Sequence, residues 1–151
     1  MMTIVALIDL SDASNKILEQ TKAVAAAFQS TVYVMHVVPF QPAVATYGAE
    51  GLPVMEDPSP ELVQGDRQKL DRLVAALTAQ GIDARPLQFE GHVSGTLIEE
   101  TRRLHADLVI MGSHHHSALY NLLVGTVTAD ILRQATFPVL VVPCDENKQA
   151  A

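Results

Sequence analysis

The sequence predicts an α/β protein: a single domain built on an open, five-stranded parallel sheet with helices on both faces. Three observations carry this. Short continuous apolar runs alternate strictly with amphipathic helical patterns in the order β-α-β-α-β-α-β-α-β. The β-branched runs carry no polar alternation, as expected of strands buried on both faces. The chain has 151 residues, 48% of them hydrophobic, enough for one core and too few for two ordinary domains. Strict alternation with right-handed crossovers leaves little besides a covered parallel sheet.

The elements follow in order. Thr3 to Ile8 is an apolar run closed by Asp9-Leu10-Ser11-Asp12. A helix follows, with Ala13, Ile17, Thr21, Val24, Ala25 and Phe28 on one face and Asn15, Lys16, Glu19 and Lys22 opposite. Ser11 or Asp12 is placed to cap it. Thr31 to Val38 is the second strand, stopped by Pro39. Residues 39–58 hold Pro39, Pro42, Gly48, Gly51, Pro53 and Pro58 without sustained periodicity and read as a loop of about twenty residues, long for a compact domain. Ser59 caps the next helix, with Pro60 at its first position, where a missing N–H costs nothing. Leu62, Leu70, Leu73, Val74 and Leu77 form its inner face until Gly81.

Asp83 to Glu90 alternates and contains Pro86, the mark of an edge strand. After the Gly91–Gly95 turn, Thr96 and Glu99 have capping-box spacing at the head of a short helix with Leu97, Ile98, Thr101 and Leu104. Asp107 to Met111 is a buried strand, and a Gly- and His-rich loop begins at Gly112. Thr126 to Ala135 is the last helix, with Ile131 and Leu132 inward, and Pro138 to Val142 the last strand. The domain is expected to run from 1 to 143, with 144–151 as a polar tail.

Composition excludes several functions. Ten Lys+Arg are scattered against 17 Asp+Glu, a formal charge of −7, so no basic stripe exists to displace nucleic-acid counterions. Cys144 is the one cysteine, so no intrachain disulfide forms. The start lacks a basic n-region, and no apolar run approaches the ~18 residues of a membrane span. The expectation is a cytoplasmic protein.

Ligands of open α/β sheets lodge where strands end at their carboxyl side, beside the switch in strand order. The segment of most interest there runs from Gly112 to Thr126, with His115 after two residues and Gly125-Thr126 after nine more. It resembles the G-x2-G-x9-G-(S/T) signature of the universal stress protein family. So do Val5-Ala6-Leu7-Ile8-Asp9, His36-Val37-Val38, Gly91, Asp107-Leu108-Val109-Ile110-Met111-Gly112-Ser113 and Phe137-Pro138-Val139-Leu140-Val141-Val142-Pro143; the likeness covers residues 3–143.

The resemblance implies a Rossmann-like fold of the adenine nucleotide alpha hydrolase-like kind and an adenine nucleotide, ATP or AMP, with or without Mg²⁺. By the same resemblance, Leu7, Ile8 and Asp9 border adenine and ribose, and Val37 lies against adenine. Gly112, Ser113, His115, Gly125, Thr126 and Val127 meet ribose and phosphates. It further implies a stress-response module that is homodimeric through its last strand and acts on a regulatory protein partner. The physical logic is independent of the family: glycines admit close approach of backbone N–H to phosphate, and a helix N-terminus attracts anions. At the second glycine position the chain carries His115, whose imidazole can donate to phosphate. The alternative is a nucleotide-free dimeric interaction protein of the same fold, with the 39–58 loop as its surface.

Other motifs carry less. Adjacent side chains diverge, so within His114-His115-His116 at most two could share a metal, and zinc needs three or four ligands. His36 reads as a satisfied core histidine. Asp9 and Asp12 would suit a phosphoacceptor receiver, but Glu90 and Pro143-Cys144 stand where that chemistry needs Asp and Lys. Ser94 sits one place too late for a nucleophile elbow, and no Walker motif occurs. No acid/base pair stands out, so the sequence supports binding, with slow ATP hydrolysis as the most it admits.

Overall fold

A computed structural model describes residues 1–47, 53–113 and 127–144. The elements are β1 (Thr3–Leu7), α1 (Ala13–Phe28), β2 (Thr31–Val38), β3 (Gln41–Tyr47), β4 (Pro53–Glu56), α2 (Pro60–Ala79), β5 (Asp83–Glu90), α3 (Val93–Arg103), β6 (Leu108–Gly112), α4 (127–134) and β7 (Val139–Val142). Five strands pair in parallel in the order β5-β2-β1-β6-β7. Alternate residues of each strand feed two cores. Ile4, Ala6, Val32, Val34 and Ile110 pack under α1 and α2, while Val5, Leu7, Met35, Val109 and Met111 meet Leu97 of α3 and Ile131 of α4. The central strands are therefore apolar on both faces, which is why their sequence shows no alternation. β5 lies at one edge, where Pro86 loses no ladder bond that matters.

Local chemistry sets the element ends. Ser59 Oγ accepts from the Leu62 N–H at 3.2 Å, with Pro60 as first helical residue, as its sequence predicts. Gly91 takes φ +136° and donates its N–H to the Val38 carbonyl at 3.0 Å, joining the ends of β5 and β2 in a conformation that a side chain resists.

Several expectations are corrected. Residues 39–58 are not simply a loop: β3 and β4 form an antiparallel ribbon, Gln41 opposite Glu56 and Pro42 opposite Met55, with an irregularity before Tyr47. Each strand of a two-stranded ribbon has a free edge, so prolines in both are tolerated. Helix α3 starts at Val93 with His92 as its cap residue, and the Thr96 N–H already donates to the His92 carbonyl at 3.0 Å. Thr96 and Glu99 are thus inside the helix, and the expected capping box does not form. α1 has Asp12 at its cap position without a side-chain capping bond. Phe28 (59% exposed), Leu132 (52%) and Leu62 (38%) face outward instead of inward, whereas Ser14 and Leu18 are buried. Cys144, assigned to the tail, is buried in the α1/α2 core; residues 145–151 lie outside the described residues. Among the described residues no helix is long and apolar enough to cross a membrane.

Candidate functional site

α1 and α2 cover one face and α3 and α4 the other, so the order of connections reverses between β1 and β6. At such a switch the loops leaving neighbouring strands diverge and open a crevice. Carrying the pairing Ala6↔Ile110 forward sets Ile8 level with Gly112. The turn after β1 and the end of β6 therefore flank the crevice, about 4.8 Å apart along the hydrogen-bonding direction.

The turn after β1 is organised by Asp9. Its Oδ1 accepts the Ser11 N–H at 3.0 Å, the Ser11 hydroxyl, and the hydroxyl of buried Ser14 at 3.3 Å. Leu10 between them has φ +65°, uncommon for a residue with a Cβ. Backbone in that region persists where the surroundings over-determine it, and Asp9 supplies that constraint. Asp9 is exposed, while the side chains of Leu7, Ile8 and Val37 are core. Those three positions can offer a ligand backbone groups only; Asp9 can offer a carboxylate. Ser11 and Ser14 were not among the expected site residues. The spacing Asp9-x-Ser11-x2-Ser14 was the signal for them, since it brings both hydroxyls back over the turn.

At the end of β6, Ser113 donates its N–H to the Val142 carbonyl at 3.0 Å and its Oγ accepts the Cys144 N–H at 3.3 Å, closing β6 against β7. Gly112 is tightly packed. A Cβ there would lie 3.0 Å from Cys144 Sγ and 3.0 Å from Ile17 Cδ1. Cys144 Sγ donates to the Val142 carbonyl at 3.2 Å. Burial pushes this thiol above its ordinary range, against the opposing Ser113 hydrogen bond and the Lys16 charge, so it is a packed thiol and no nucleophile. Val127, in the first described turn of α4, is half-buried against the second core.

The structure thus brings Leu7, Ile8, Asp9, Gly112 and Ser113 to one end of the sheet, with Val37 ending the neighbouring β2. His115, Gly125 and Thr126, like the whole His114–His116 run, lie outside the described residues. His36 is a satisfied core histidine, as expected. Its ring nitrogens face the Ile8 carbonyl (3.2 Å) and Asp66 Oδ2 (3.0 Å).

Comparison with known proteins agrees with this architecture. The chain is 32% identical over 140 residues to universal stress protein A homolog 1 of Coxiella burnetii, covering 92% of this chain and 94% of that one. Among solved structures, the protein MJ0577 superposes with a TM-score of 0.75 at 21% identity, over 96% of this chain and 97% of the other. A universal stress protein from Archaeoglobus fulgidus, solved in complex with dAMP, superposes at 0.65 with 18% identity, over 93% and 96%. The profile of the universal stress protein family matches residues 1–143. With a signature begun at Gly112, a five-strand order reversing between β1 and β6, and a family match across both, this chain belongs to the universal stress protein family.

Proposed function

We propose that the chain is a cytoplasmic, homodimeric regulatory module of the stress response that binds an adenine nucleotide at the β1/β6 switch. The observation that carries this is the meeting, at one sheet end, of the Asp9 turn with Gly112, the first residue of the signature loop. The dAMP complex of the Archaeoglobus fulgidus relative supports it. In this reading Asp9 accepts from the ribose hydroxyls, as acidic residues do in dinucleotide folds. Backbone groups of Leu7, Ile8 and Val37 border adenine. Gly112, Ser113, His115, Gly125, Thr126 and Val127 take the ribose and phosphates, with the head of α4 supplying anion-binding N–H groups.

The test is mass spectrometry of ligand released from the purified protein, followed by calorimetric titration of ATP and AMP between pH 6 and 8. Bound polyphosphate raises the pKa of a neighbouring histidine from about 6.5, so affinity rises as pH falls through the bound-state value and levels off below the free-state one. The expected gain in affinity over this range is roughly three- to tenfold. His115→Gly flattens that dependence, and Gly125→Val abolishes binding while unfolding stays cooperative. Binding that ignores both substitutions would place the phosphates elsewhere.

The dimer is proposed through β7, a short apolar edge strand with Leu140 37% exposed, because an uncovered edge of that kind invites pairing. Val141→Asp is expected to move the sedimentation mass from dimer to monomer at micromolar concentration. A mass unchanged by it would put the contact on another surface.

A second reading rests on the β3–β4 ribbon, which exposes Val54 (44%) and Met55 (54%). In that reading the ribbon is a regulatory docking surface and no nucleotide is held. Protein that releases no nucleotide and takes up neither ATP nor AMP would favour it.

A further inference from the structure

The pairing of β1 with β2 ends at Leu7↔Met35, after which the Ile8 N–H donates to the Met35 carbonyl at 2.9 Å. The next group along β1 is the carbonyl of buried Ile8, and a buried carbonyl at the end of a ladder needs a donor. It faces the ring of His36, with Nδ1 at 3.2 Å. The other ring nitrogen, Nε2, stands 3.0 Å from Asp66 Oδ2 on α2. The two side chains are 6% and 16% exposed. The Ile8 carbonyl and the Asp66 carboxyl group thus engage the ring from its two opposite nitrogens.

Helix α2 is held to the sheet in two ways. Leu70, Val74 and Leu77 bury its second half in the core. Its first half is tied by directional bonds: Asp66 to His36, and the Val63 carbonyl accepting from Gln88 Nε2 at 2.8 Å. Val63 and Asp66 lie three apart, on one helical face, and His36 and Gln88 are register partners on β2 and β5. Apolar contact tolerates sliding; a hydrogen bond weakens steeply as its distance and angle change. The first half of α2 is therefore sensitive to the position of the Ile8 carbonyl. Directly beyond that carbonyl is the strained turn of Asp9 and Leu10.

We propose that His36, oriented by Asp66, is the positioning residue of the Ile8–Ser11 turn and couples the state of that turn to the first half of α2. His36 fastens the turn from behind and Asp9 fastens it from within. A ligand seated on the turn then shifts the Ile8 carbonyl, and the ring passes the shift to Asp66. The ligand part rests on the adenine-nucleotide reading; the ordering part does not.

The test uses the full chain and compares the parent with Asp66→Asn, Asp66→Ala and the surface control Asp71→Asn. Backbone hydrogen exchange is followed at residues 8–11, at 61–67 and in the core of β2, without ligand and with saturating AMP. Asp66→Ala is expected to speed exchange at 8–11 by roughly tenfold, as loss of one hydrogen bond to a carboxyl group implies. Asp66→Asn, whose amide oxygen still accepts, speeds it by roughly threefold, and both leave β2 unchanged. AMP slows exchange at 61–67 in the parent, and this response is lost in Asp66→Ala and weakened in Asp66→Asn. AMP affinity falls roughly three- to tenfold in them, within the effect of one such bond. Exchange at 8–11 unchanged in both variants, or no change at 61–67 in a parent that binds AMP, overturns the proposal. So does unchanged AMP affinity in variants of a parent that binds AMP. A parent that takes up no AMP overturns the nucleotide reading instead, and exchange in the free protein then decides the coupling by itself.

Discussion

Replacing Gly112 by valine lowers the unfolding free energy by about 3 kcal/mol, the upper part of the usual range for overpacking a close-packed interior. The cause is local. A Cβ at this position meets Cys144 Sγ and Ile17 Cδ1, each at 3.0 Å. The methyl end of Ile17 can rotate away, but Cys144 is 1% exposed and is held by the Val142 carbonyl and the Ser113 hydroxyl. Gly112→Ala therefore costs less, about 1–2 kcal/mol. Cys144→Ala in the same chain recovers about half of that, because residues in contact are energetically coupled. Urea midpoints at constant slope measure all three. A midpoint for Gly112→Val within error of the parent would mean that this corner is not packed as described. The result also bears on why a glycine stands here. The signature ascribes it to backbone approach toward phosphate, whereas close packing against Cys144 and Ile17 of α1 favours it even with no ligand.

Asp9→Ala produces the second large effect, divided between stability and binding. It removes the acceptor of the Ser11 N–H and of two hydroxyls, one of which, on Ser14, is buried at 1% exposure. An orphaned buried hydroxyl costs about 1–3 kcal/mol, and Leu10 loses the constraint on its left-handed backbone. AMP affinity falls by roughly tenfold or more, since a hydrogen bond to a charged group is worth about 1.5–3 kcal/mol. Asp9→Asn separates the two. Its amide oxygen still accepts from Ser11 and Ser14, so stability returns, while the weaker acceptor leaves affinity about tenfold down. Urea unfolding and calorimetric titration of the three proteins resolve the split. Full AMP affinity in Asp9→Ala would remove Asp9 from the site.

Much of the fold was legible in the sequence because its signals are local. Apolar runs such as Thr3–Leu7 and Thr31–Val38 can be buried only between two helical layers, and Pro86 can sit only where a ladder bond is dispensable. Ser59 and Pro60 mark a helix start by groups within three residues of each other. The family signature from Gly112 is likewise a contiguous string. The ribbon of β3 and β4 was not legible, because two prolines and two glycines break the alternation and its pairing is between strands of ordinary composition. Thr96 and Glu99 had the spacing of a cap, yet the Gly91 turn lets the helix begin four residues sooner. Periodicity set the inner faces of α1, α2 and α4 broadly but put Phe28, Leu62 and Leu132 on the wrong side. All three lie at the margin of a helical stripe, where exposure depends on how far the neighbouring layer reaches. The contacts that shape the candidate site are longer in range. Asp66 reaches His36 across 30 residues, and Cys144 and Ile17 close on Gly112 only because β6 lies between β1 and β7. The sequence by itself determined which residues become strand and helix and which string resembles the family. Strand order, a property of the whole chain, decided which side chains meet at the crevice, because burial drives strands together without recording in local pattern which neighbour each will find.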